Sequence, residues 1–257
     1  MLAQVAVIPG APLLVPELTG PGAVEAEPVR AAAGAAITAL AAACDRWIVL
    51  CAADAACPPG ADSPPSGDFG RFGCAVPVTL PGRAPLPLPA GPVVAEMPAG
   101  VLVAGWLAQR TAHPPARVQP RLIAPDAPAP DCAAFGARLA DELRAAPDPL
   151  GVLVVADGAT ALSPSAPGGG ERESAWALQR RLDAAVAAGD PAALAGLETE
   201  ACRAEGLVAA PWHTLAALCG DRPDRVEVHY TGAPFGVGYT VASWLWTRNC
   251  AEPGQRR

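Results

Sequence analysis

The hydrophobic pattern of the chain alternates between two kinds of segment. The first is a short continuous apolar run, seen at Gln4–Ile8, Trp47–Cys51 and Gly151–Ala156. Runs of this kind are too short for a buried helix and apolar on both faces, which predicts parallel strands buried within a sheet. The second is a longer stretch in which alanine and larger apolar residues recur at helical spacing. Helices are expected at about Pro28–Cys44, with Ile37 and Leu40 facing inward, at Met97–Thr111, and at Asp131–Ala145 with Asp131 as N-cap. Another is expected over Glu171–Gly189, where Trp176, Leu178, Leu182, Ala185 and Val186 share a face and Gly189 supplies the stop. Asp190-Pro191 reads as a cap followed by a first-turn proline, opening a helix to about Arg203, and a last helix covers Ala210–Cys219. Further strands are expected at Arg117–Ala124, Val226–Tyr230 and Tyr239–Trp246.

Strands that alternate with helices imply a largely parallel sheet covered on both faces, an α/β architecture. The chain is read as a single domain over residues 1–250 with a flexible tail at 251–257. Residues 52–92 are rich in proline and glycine, with Phe72–Leu80 the one expected strand, and read as an irregular excursion forming a cleft-side flap. Ligands of open parallel sheets bind beyond the carboxyl ends of the strands. Three loops belong at that edge: Pro9–Glu17, Ala52–Pro59 and Asp157–Gly170. The ionisable residues of interest they bring are Glu17, Asp54 and Asp157.

Composition narrows the function more than it specifies it. Apolar residues make up 51% of the 257, enough for a large core. All 18 basic residues are arginine, a bias that matches the abundance of Ala, Gly and Pro expected from GC-rich coding. A net charge of −7 without a basic stripe argues against nucleic-acid binding. No apolar stretch approaches the roughly 18 residues of a membrane span, and the first residues read as a strand, not a signal peptide. A cytoplasmic location is expected. The eight cysteines lack any CxxC pair and read as free, buried thiols. The six tryptophans read mainly as core, with Trp212 a candidate cleft wall.

Four strings, in consistent order along nearly the whole chain, carry a resemblance to a known family. They are Val7-Ile8-Pro9-Gly10-Ala11-Pro12-Leu13-Leu14-Val15-Pro16-Glu17, Val154-Val155-Ala156-Asp157-Gly158, Ala210-Pro211-Trp212, and Ala233-Pro234-Phe235-Gly236-Val237-Gly238-Tyr239. Together they resemble the class III extradiol ring-cleavage dioxygenases, in the form of their B-type subunits, and most closely an actinobacterial branch. The resemblance implies that fold and a cleft at the three loops. Active members hold Fe(II) through two histidines and a third His or carboxylate, with a further histidine as acid/base. Here the first ligand position is Gly10, the second lies near Ala53, the catalytic one near Thr160, and a late ligand near Leu207 or Val208. None of these residues binds iron usefully or shuttles a proton near neutral pH, so neither a metal ligand nor a cofactor is assigned.

The candidate cleft residues are therefore Gly10, Pro12, Asp54, Asp157, Thr160, Trp212, His229 and Tyr239, with Asp157 the candidate for catalysis. A carboxylate at a strand end serves as a general base where burial raises its pKa, or simply closes an Asp-Gly turn. An Asp54/Asp157 pair could hold a hard cation such as Mg²⁺. Of the three histidines, His113 reads as solvent-facing, His213 as packed or capping, and His229 as facing either the cleft or the opposite surface. The leading expectation is a dioxygenase-like protein without its iron, retaining a cleft for a small molecule or partner. The alternatives are an active metalloenzyme using Asp54, Asp157 and His229, and an interaction module that forms a homodimer through its sheet edge.

Overall fold

A computed structural model describes residues 1–20, 22–82 and 88–247; the expected tail at 251–257 lies outside them. In chain order the elements are β1 (Leu2–Ile8), α1 (Pro16–Thr19), α2 (Glu27–Ala43), β2 (Arg46–Ala52), β3 (Ser66–Asp68), β4 (Pro77–Thr79), α3 (Ala99–Ala108) and β5 (Arg117–Ile123). They continue with α4 (Ala129–Ala145), β6 (Leu150–Val155), α5 (Glu173–Ala187), α6 (Pro191–Ala195), α7 (Thr199–Ala204), α8 (Ala210–Cys219), β7 (Arg225–Gly232) and β8 (Tyr239–Leu245).

The chain forms an α/β domain around a six-stranded sheet of order β5-β2-β6-β1-β8-β7. Strands β5, β2, β6 and β1 run parallel, and β8 runs antiparallel to both neighbours. The alternation along each strand divides the core into two layers. Ala6, Ile8, Trp47, Val49, Leu153, Val155 and Val241 face the layer shared with α2 and α3. Val5, Val7, Ile48, Leu50, Val152, Val154 and Trp244 face the layer shared with α4, α5 and α8. Because β1, β2 and β6 are buried on both faces, they read as continuous apolar runs; fully burying each Val, Leu or Ile contributes about 1.5–3 kcal/mol. Among the described residues no helix is long and apolar enough to cross a membrane.

Several details depart from the sequence expectation. Asp131 is not the N-cap of α4. Pro128 takes that place, and its carbonyl accepts from the backbone N–H groups of Asp131 and Cys132 at 2.9 and 3.0 Å, so the helix opens earlier. Asp190 does cap, accepting from Ala192 and Ala193 at 3.0 and 3.1 Å. The helix it opens, however, stops at Ala195 and resumes only at Thr199. Gly196 weakens the helix there, and the Leu197 carbonyl turns instead to the Nε2 of His213 at 2.7 Å. The excursion at residues 52–92 holds two strands, not one: β3 and β4 pair antiparallel. It packs Phe69, Val78 and Leu80 into the α2–α3 layer. Residues on either side of that pair bond to β5, with Gly60 donating to Leu122 and Val118 donating to Pro81. The segments flanking β3 and β4 thus close the β5 edge of the sheet, while the pair itself covers α3. Among the described residues no cysteine is in a disulfide, but Cys74 is exposed and Cys57 and Cys219 are half-buried; Cys250 lies outside the described residues.

Candidate functional site

Because β1, β2 and β6 are adjacent and parallel, the loops leaving their carboxyl ends meet at one edge of the sheet. They enclose a crevice of about 230 Å³. Its floor and walls come from Gly10 after β1, Cys51–Asp54 at the end of β2, and Val155–Gly158 with Thr160 after β6. The first turn of α3 (Ala99, Gly100), Pro125 after β5, and Gly206, Val208 and Pro211 ahead of and within α8 complete it. Small side chains dominate because the loops approach closely; a Cβ on Gly100 would lie 3.1 Å from the Cβ of Cys51.

Asp157 is the carboxylate at the floor. Its Oδ1 accepts a 2.9 Å hydrogen bond from the backbone N–H of Gly10. Solvent reaches only part of the side chain through the crevice, and the surrounding protein desolvates it strongly. Desolvation pushes its carboxyl up to about 6, against the Gly10 hydrogen bond, which pulls the other way. A carboxyl so placed is ionised at neutral pH yet able to take up a proton under mildly acidic conditions. Asp54 stands exposed at the rim, where Arg71 from the excursion pairs with it at 2.6 Å. The thiol of Cys51 is buried and pushed up by desolvation, so it is not a nucleophile at neutral pH.

The loop that carries Asp157 is clamped from three sides. Gly158 donates to the Gly238 carbonyl and Gly238 donates back to Ala159, both at 2.8 Å. The side-chain oxygen of Gln179, on α5, accepts from the Ala159 N–H at 2.9 Å, while its nitrogen donates to Asp183 at 2.8 Å. Thr240 at the start of β8 donates to the same Asp183 oxygen. Close packing of the Gln179 amide against the backbone demands glycine at both 158 and 238, where any Cβ would overlap it. Farther along, Thr160 donates its backbone N–H to the Glu205 carbonyl at 2.9 Å, and the Glu205 carboxylate pairs with Arg172 at 2.8 Å. Sequence reasoning missed Gln179, Asp183, Arg172 and Glu205. A signal existed for Gln179 alone: it occupies the inward face of α5 between Ala175 and Leu182, where a polar residue needs a buried partner.

Of the residues singled out in the sequence, Gly10, Asp54, Asp157 and Thr160 line this one crevice. The others stand elsewhere. Pro12 lies in a short turn beyond Gly10 and is not among the lining residues. Trp212 is buried in the α4–α8 layer, so its side chain is core and not a cleft wall. Tyr239 is buried in the opposite layer, close enough for the Asp157 charge to help desolvation raise its phenol. His229 sits on β7, its Nε2 2.9 Å from the Ser243 hydroxyl and its Nδ1 3.8 Å from Glu227. It therefore does not join Asp54 and Asp157. Among the described residues no three His, Cys, Asp or Glu side chains are grouped to hold a metal ion. A ferrous centre of two imidazoles and a carboxylate does not fit the donors present in the crevice, which are two carboxylates, a thiol and a hydroxyl.

No protein-family model matches the chain, and no curated protein matches it. Among solved structures, the chain is similar to an uncharacterized protein from Escherichia coli K12, with a TM-score of 0.48 and 11% identity over 94% of this chain and 99% of that one.

Proposed function

We propose that this chain is a class III extradiol dioxygenase-like protein that has lost the ferrous site and keeps the crevice as a binding site for a small molecule. One observation supports this above the others. The places that the resemblance assigns to the first two iron ligands and to the acid/base histidine, at Gly10, near Ala53 and near Thr160, line the same crevice; of the two places for the late ligand Val208 lines it and Leu207 is buried in the core, and none bears an imidazole. They come from four loops far apart in sequence. The carboxylate there that no arginine pairs with is Asp157, held by Gly10 and raised by desolvation, whereas Asp54 is paired with Arg71 at the rim. Its free oxygen is placed to accept a hydrogen bond, or at mildly acidic pH to hold a proton, against a bound ligand.

Oxygen uptake tests the proposal. Protein purified under argon and supplied with ferrous iron is mixed with a panel of catechols, and oxygen consumption is followed together with the absorbance of ring-cleaved product. No consumption above the protein-free control is expected. Turnover that is lost on removing the iron would overturn the proposal.

A further inference from the structure

We infer that the ligand of the crevice is a small organic cation, a primary or secondary ammonium whose N–H groups bind Asp157; this rests on the reading of the crevice as a ligand site. At neutral pH Asp157 is an uncompensated carboxylate at the floor of a cavity of about 230 Å³. One of its oxygens accepts from the Gly10 N–H, no other hydrogen bond or ion pair to the carboxylate is found among the described residues, and the residue lines the cavity. No arginine or histidine is among the described residues lining the space, so nothing within it balances that charge. The second carboxylate, Asp54, is neutralised at the rim by Arg71 and does not compete for a cation at the floor. A carboxylate withdrawn from water without a partner is unfavourable, and a ligand that brings a positive hydrogen-bond donor removes the penalty. A neutral hydroxyl supplies the hydrogen bond without the charge, and an anion adds repulsion. Apart from the Cys51 thiol and the Thr160 hydroxyl, the remaining walls are alanine, glycine, proline and valine residues that offer apolar contact to a single ring or short alkyl group. The protein's overall charge of −7 favours approach of a cation and disfavours an anion.

Three probes of similar shape separate these cases: benzylammonium, benzyl alcohol and benzoate, each titrated into ¹⁵N-labelled full-length protein at equal ionic strength and followed by backbone amide shifts. Benzylammonium is expected to perturb the amides of Gly10, Gly100 and Thr160 and to bind about tenfold more tightly than benzyl alcohol, the difference between a charged and a neutral hydrogen bond. Benzoate is expected not to bind. Asp157→Asn, which keeps an acceptor for Gly10, is expected to bring benzylammonium down to the level of the alcohol. If benzyl alcohol or benzoate shifts the same amides with equal or higher affinity, the cation assignment falls while the crevice stands as a ligand site. If none of the three shifts those amides, both fall. The comparison on wild-type protein decides the matter even if the variant does not fold.

Discussion

The backbone N–H of Gly10 and the carboxylate of Asp157 meet at 2.9 Å across 147 residues of sequence. The contact joins the loop after β1 to the loop after β6, and it exists because those strands are neighbours in a parallel register that pairs Ile8 with Val155. It also fixes which oxygen of Asp157 is committed at the crevice.

Burial of Asp157 has a thermodynamic signature with a defined sign. Its carboxyl is raised from 3.8 to about 6 on folding, so the native state holds this proton more tightly than the unfolded chain. Stability from this group is full below the unfolded value, declines as pH rises from about 4 to about 6, and does not change further above that. Asp157→Asn removes the decline. Urea denaturation should find the variant more stable than wild type at pH 7 by on the order of 2 kcal/mol, with the difference shrinking toward zero near pH 4. A wild-type protein that gains on the variant as pH rises would refute the desolvation of Asp157.

Gln179 and Gly158 should be energetically coupled. Gly158→Ala forces a Cβ into the Gln179 amide and is expected to destabilise the protein by about 1–3 kcal/mol. In a Gln179→Ala background the same change should cost less, by on the order of 1 kcal/mol. A double-mutant cycle measured by chemical denaturation checks this, and additive effects would count against the clamp.

Asp190→Ala tests a local feature that the sequence announced. Loss of the side-chain acceptor for the Ala192 and Ala193 N–H groups should lower stability by about 1 kcal/mol without altering the crevice. Thermal unfolding reports the first effect and the amide shifts of Gly10 and Thr160 the second.

Thiol labelling separates the cysteines by burial. In native protein, peptide mapping after brief alkylation should find Cys74 modified and Cys44, Cys51, Cys132 and Cys202 protected until denaturant is added. Rapid labelling of Cys51 in the native state would mean that the crevice is far more open than its packing indicates.

The parallel core was legible because strands buried on both faces leave no alternation to misread: β1, β2 and β6 fall within a residue or two of the apolar runs. The edge strands β5 and β7 also fall within about two residues of their expected bounds, but the excursion was harder, since β3 and β4 are three residues each and draw their stability from packing on α3, not from their own pattern. The break after α6 depends on Leu197 bonding His213, a contact between residues 16 apart that no local propensity encodes. At the site, the loops' common edge followed from strand direction, which is why Gly10, Asp54, Asp157 and Thr160 come together. The faces of Trp212 and His229 did not follow from it. Which side of α8 turns inward is set by α4 packing against it, and a register shift in β7 next to His229 re-aims that strand.

A crevice without imidazoles should not retain iron, and ferrous binding measures this directly. Equilibrium dialysis against Fe(II) under argon, with metal quantified per chain, is expected to leave the protein with far less than stoichiometric iron, and Asp157→Asn should not change the amount. One tightly held iron per chain, released when Asp157 is replaced, would contradict the loss of the ferrous site.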